Sequence, residues 1–197
     1  MAYSKFSLEE VILAFTLEEE RKALFLEVVP VQPSAWLLET LSKTNIMPAK
    51  SEKARSELII TPILLDMAEH HKDLITIFSG EELDGDSSKG LAGECDYILS
   101  KSPQSFSLKA PVFGLVEAKQ NIVENSMGQC VAQMLGAQIF NERKNNAITQ
   151  IFGCVSNGDV WHFLRLVGKH LTIDTQKYYL DNLALLLGVL QHIILKN

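Results

Sequence analysis

Apolar positions recur at helical spacing soon after the chain begins. Leu8, Val11, Ile12 and Phe15 fall on one face, and Ser7-Leu8-Glu9-Glu10 has the spacing of a capping box that would open that helix. Leu24 to Val31 is apolar and β-branched, which suits a strand or the tail of a second helix. Pro33-Ser34 starts another helix, Ala35 to Lys43, ended by Asn45 and Pro48. Ser51 then leads a longer helical pattern to about His70, with Ile59, Ile60, Ile63, Leu64 and Met67 as its apolar stripe. Pro62 lies inside that pattern and predicts a kink or a split into two helices.

The period changes at Leu74. Leu74 to Phe78 is a short β-type run, and Gly80 to Lys89 reads as a charged, glycine-containing loop. Leu91 to Leu99 and Pro111 to Lys119 are strands. Their connection is polar, contains Pro103 and has no room for a long helix, so an antiparallel pair is expected. Ser126 to Lys144 is a helix of small and apolar residues. Ile148 to Val155 and Val160 to Val167 are strands joined by Ser156-Asn157-Gly158-Asp159, a strong hairpin signal. A short strand, Leu171 to Ile173, precedes a C-terminal helix, Gln176 to Leu195, that is apolar over most of its surface.

Helices, three strands, a helix, a hairpin and a helix make an α/β chain, a mixed sheet flanked by helices. Its 197 residues suffice for a single domain with one substantial core. Within it, residues 51–167 would form the core, 1–50 a helical N-terminal extension and 168–197 a C-terminal strand and helix. No repeat or low-complexity stretch interrupts the pattern.

Lys and Arg total 18 against 24 Asp and Glu, a formal charge of -6. That balance argues against holding nucleic acid by bulk charge, and leaves open a local basic groove or a carboxylate cluster that gathers metal. The three cysteines, Cys95, Cys130 and Cys154, are far apart, so a zinc site and a disulfide framework are both disfavoured. No signal-peptide pattern precedes the first helix. The longest apolar run, Leu183 to Leu195, is too short for a bilayer. A cytoplasmic protein without a membrane partner is the expectation.

Two strands carry charge where apolar residues would be usual. Asp96 sits mid-strand in Gly93-Glu94-Cys95-Asp96-Tyr97-Ile98-Leu99, and Val112-Phe113-Gly114-Leu115-Val116-Glu117-Ala118-Lys119 is an apolar strand ending in two charges. Glu117 and Lys119 project from one face, and Asp96 converges on them if the strand faces match. Charges beside apolar strand cores are costly unless paired or metal-bound. Mg²⁺ relieves repulsion between two carboxylates and accepts water and phosphate besides. A lysine beside it can orient water and offset phosphate charge. The plainer reading is an Asp96–Lys119 ion pair at a sheet edge.

An acid-bearing strand, a connection, an apolar strand ending in Glu-x-Lys and then a glutamine-bearing helix resembles the PD-(D/E)XK nuclease superfamily, with its restriction-endonuclease-like fold. The resemblance covers roughly residues 51–167. It extends to Val155-Ser156-Asn157-Gly158-Asp159-Val160-Trp161-His162-Phe163-Leu164, which is similar to the "TNG-x-x-W-x-F" strand pair of restriction-type nuclease domains. It implies Mg²⁺, with Mn²⁺ able to substitute, held by Asp96 and Glu117 with help from the Ala118 carbonyl, and Lys119 acting on the attacking water. It further implies a glutamate on the helix before the sheet, matched by Glu57, and a glutamine after the lysine strand, Gln129 or Gln133, with Gln129 slightly favoured. The proline usual before the first acid is replaced by Cys95. Glu94 is an accessory candidate, more simply a partly solvated strand residue.

On this reading the chain is a Mg²⁺-dependent nuclease acting on nucleic acid, DNA first. Lys50, Lys53 and Arg55 are candidate phosphate contacts, although a solvated helix face explains each as well. A homodimer, or a partner protein that supplies specificity, would fit a chain without a sequence-reading element. The alternatives are a nuclease-fold module that binds or regulates without cutting, and an interaction domain in which the acid–lysine pair is structural. Arg143, Lys144, His70 and His71 suit helix C-termini, and His162 suits packing or surface.

Overall fold

The computed structural model describes residues 3–120, 123–146 and 148–196. Serine caps place the N-terminal helices as the sequence predicts. In α1 (Leu8–Phe15) the full capping box forms: Glu10 N donates to Ser7 Oγ at 3.2 Å, and Ser7 N to Glu10 Oε2 at 2.8 Å. Ser34 caps α2 (Ala35–Ser42) and Ser51 caps α3 (Glu52–Arg55).

The interruption that Pro62 predicts is a π-helical turn, Ser56–Ile60, between α3 and α4 (Thr61–His70). Proline lacks the amide that a continuous helix would use, and the widened turn absorbs that loss. The Tyr97 hydroxyl clamps both ends of the turn, bonding to Ser56 Oγ and to Thr61 Oγ1 at 2.8 Å.

Seven strands make one mixed sheet. They are β1 (Glu18–Arg21), β2 (Thr76–Asp86), β3 (Leu91–Ser100), β4 (Val112–Ala118), β5 (Gln150–Ser156), β6 (Val160–Val167) and β7 (His170–Tyr179), in spatial order β1-β7-β6-β5-β4-β3-β2. β2, β3 and β4 form an antiparallel meander. β4 and β5 run parallel, and α5 (Met127–Arg143) makes the crossover between them. β5, β6 and β7 are antiparallel, with Gly158 at φ +89 in the β5–β6 turn, and β1 joins β7 in parallel.

One sheet face packs Ile98, Leu115, Val155 and Leu164 under α1 and α5. The other packs Leu99, Phe113, Val116, Trp161 and Phe163 under α4 and α6 (Leu183–Leu195). β4 lies between the two and is buried along its whole length, which is why its sequence is apolar almost throughout. Among the described residues no helix is long and apolar enough to cross a membrane. The cysteines are buried and unbridged.

Four segments differ from expectation. Gly80 to Lys89 is mostly the outer half of β2, not a loop; β2 is an edge strand, and its exposed acids read as loop polarity. β7 runs to Tyr179, so the last helix begins at Leu183 rather than Gln176. The N-terminal 50 residues are not purely helical, because the fully charged Glu18–Arg21 adds an edge strand. Leu24 to Val31 is neither strand nor helix. It covers α6, with Val31 N donating to Ala184 O at 2.9 Å; Leu24, Phe25, Val28 and Val31 pack into that side of the core, whereas Leu26 and Val29 are exposed.

Because the Tyr97 hydroxyl bonds both ends of the π turn, Tyr97→Phe strands the Ser56 and Thr61 hydroxyls in half-buried positions. The expected loss is about 1–2 kcal/mol of stability, read as a lower urea midpoint at unchanged slope.

Candidate functional site

The site forms where β3 and β4 part. Their ladder ends with Tyr97 opposite Val116. Beyond that pair Asp96 takes over with its side chain: Ala118 N donates to Asp96 Oδ2 at 2.7 Å. The carboxylate thus replaces a missing ladder partner and is pinned at the tip of β4.

Glu117 points under α5 and is only 1% exposed. Gln133 of α5 donates from Nε2 to Glu117 Oε2 at 2.7 Å, and Lys119 Nζ lies 2.7 Å from Glu117 Oε1. Lys119 follows β4 directly, and its backbone amide donates to Ser156 O at 2.8 Å, fixing the lysine between β4 and β5. Glu52, in the first turn of α3, places Oε1 3.8 Å from Lys119 Nζ. α3 is held there by Arg55, whose Nη1 donates to Asn157 O at 2.8 Å and pairs with Asp159 Oδ2 at 2.7 Å.

Burial, then the charge of Asp96, raises the Glu117 carboxyl to about 7, against the pull of Lys119 and Gln133. Burial also raises Asp96, and the Ala118 amide and Lys119 offset it only in part. For Lys119, burial acts to lower the pKa, but Glu117, Glu52 and Asp96 outweigh it, and the ammonium is held above its ordinary value. Two confined acids therefore share one lysine, and a third acid stands at its far side. The cluster carries excess negative charge in a place where charge is poorly solvated.

The structure brings together Asp96, Glu117, Lys119 and Gln133 from the sequence candidates. Gln133, rather than the slightly favoured Gln129, bonds Glu117; Gln129 stands one turn away and is half-buried. Glu57 does not face the cluster. It is on the π turn, half-exposed, 3.8 Å from Lys53, and Glu52 is the helix acid at the site. Glu57 was implied by the resemblance alone; Glu52, five residues earlier and just inside the Ser51 cap, projects in a different direction from the same helical segment. Arg55 is committed to the β5–β6 turn, whereas Lys50 and Lys53 are exposed. Glu94 is exposed, but its charge still reaches Asp96. His162 is buried and bonded through Nε2 to Asp174 O at 2.7 Å.

Among the described residues no three His, Cys, Asp or Glu side chains meet as a metal cage. The donor set nonetheless fits a hard cation that takes one or two carboxylates and completes its shell with water. Asp96 and Glu117 are two oxygen donors, each pushed toward protonation by confinement that a cation would relieve. No family profile, curated protein or solved structure matches this chain.

Raising the Glu117 carboxyl from 4.5 to about 7 means the folded protein keeps a proton there that the unfolded chain releases. Between those values stability falls as pH rises, by at most about 1.4 kcal/mol per pH unit for one group. In metal-free buffer, Glu117→Gln is expected to flatten this part of the melting-temperature profile. Parallel profiles for variant and wild type would show that Glu117 is not held up.

Proposed function

We propose that this protein is a divalent-metal-dependent nuclease with a restriction-endonuclease-like core, hydrolysing phosphodiester bonds of nucleic acid, DNA in the first instance. The observation that carries the reading is the meeting of Asp96, Glu117, Lys119 and Gln133 at the end of a fully buried central strand. Charge of this kind inside a sheet is expensive, and a role in chemistry explains why it is concentrated there.

Asp96 and Glu117 would hold Mg²⁺, or Mn²⁺ in its place. The bound ion would supply phosphate-charge neutralisation and a more acidic water. The chain's own residues divide the remaining work. Gln133 keeps Glu117 oriented from α5. Asp96 is immobilised by the Ala118 amide. Lys119, kept protonated by three acids, acts as a donor: it positions the attacking water and offsets charge growing on the phosphate. Specificity would come from a second copy or from a partner protein.

The charge of -6 favours one further reading, a nuclease-fold module that binds metal weakly or not at all and regulates without cutting. Calorimetric titration with Mn²⁺ separates the two, since the nuclease reading requires saturable binding that Asp96→Ala removes. The direct test is DNA cleavage with Mg²⁺ or Mn²⁺. Lys119→Ala and Asp96→Ala should each lower the rate on the order of a hundredfold or more. No cleavage by the wild type, or cleavage that survives both substitutions, overturns the reading.

A further inference from the structure

A second concavity lies far from the acid–lysine cluster. β5 begins at its edge with Gln150 and ends near Lys119 with Ser156, so the two sit at opposite ends of a strand roughly 20 Å long. The cleft also opens on the other sheet face, beneath the end of α6. It encloses about 500 Å³, a size that suits a small molecule.

Its walls combine cationic and aromatic groups. Arg165 comes from β6 and stands directly opposite Phe152 of β5. Lys196 and His192 come from the end of α6, and Phe25 from the irregular segment laid over that helix. The His192 ring stands edge-on to Phe25, with centroids 5.4 Å apart. Among the described residues Glu27 is the one acid lining the cleft.

Arg165 is the informative residue. Its Nε is buried without a hydrogen-bond partner, and among the described residues no ion pair is formed by its guanidinium. Glu20 senses its charge but is engaged by Lys22 and Thr172. A guanidinium donor hidden from water and left without an acceptor is destabilising, and a planar anion satisfies it best. Burial, reinforced by Lys196, keeps the His192 imidazole toward its neutral form, so Arg165 and Lys196 supply the charge.

We propose that this cleft binds a small organic anion, its phosphate or carboxylate head on Arg165 and Lys196 and its apolar body along Phe25 and Phe152. The site is independent of the nuclease reading and shares no residue with it.

The test is calorimetry on the full chain in EDTA, which keeps divalent ions out of the acid–lysine cluster. The probes are naphthyl phosphate, naphthoate and inorganic phosphate. One of the two organic anions is expected to bind one-to-one, at least tenfold more tightly than inorganic phosphate. Which one binds identifies the head group. Arg165→Gln should weaken it tenfold or more and Lys196→Gln severalfold, while Asp96→Ala leaves it unchanged. Should Arg165→Gln fail to fold, Lys196→Gln decides, because that side chain is exposed. Failure of both organic anions to bind, or binding indifferent to the cleft variants, overturns the proposal.

Discussion

The candidate site depends on one hydrogen bond, from the Ala118 amide to the Asp96 carboxylate. It lies where β3 and β4 stop pairing, and it turns a strand fork into a fixed arrangement of charge. Without it the tip of β4 would lose its partner on one side. Asp96 would swing toward water, and Glu117 would lose the neighbour that helps to raise its pKa. Everything else at the site is built outward from this point. Lys119 is tied back to β5, Gln133 reaches down from α5, and α3 is roped to the β5–β6 turn by Arg55.

The same geometry explains why the cluster stays ionic in a largely apolar setting. Glu117 could relax by taking up a proton, and burial pushes it that way. Lys119 resists, because its ammonium pairs with Glu117 and is itself held charged by the acids around it. The balance is poised rather than settled, and a proton can tip it. A structural ion pair has no need of a second and third acid beside it, and the proposed function rests on that excess. This is the physical case for reading the cluster as functional.

Much of the architecture was legible in residue pattern. The capping box at Ser7, the interruption at Pro62 and the Asn157-Gly158 hairpin each had one local cause, and each formed. Legibility failed where burial, not periodicity, set the composition. Edge strands β1 and β2 expose their charges, so β1 was lost in an extension read as helical and the outer half of β2 looked like loop. The apolar run Leu24 to Val31 covers a helix without adopting regular structure. At the site, strand alternation correctly joined Glu117 with Lys119, since a period of two leaves little freedom. Helical positions were harder: Glu52 and Glu57 are five residues apart and so project in different directions, and it is Glu52, not Glu57, that stands near the lysine.

Net charge needs the same local treatment. A total of -6 describes the whole surface, yet acids and bases are not spread evenly through the fold. Acids concentrate at the β4 tip and along edge strands β1 and β2, where they also discourage strand addition by another chain. Cations gather instead beneath α6, at the far end of β5. The separation is not a simple polarity along the strands, because the acids of β1 stand at the same end as Arg165: Glu20 lies opposite Thr172, and Thr172 opposite Arg165. Under the proposed function, a divalent ion held by Asp96 and Glu117 would reverse the sign of the β4 tip and make it attractive to phosphate, something the bulk charge alone would never suggest.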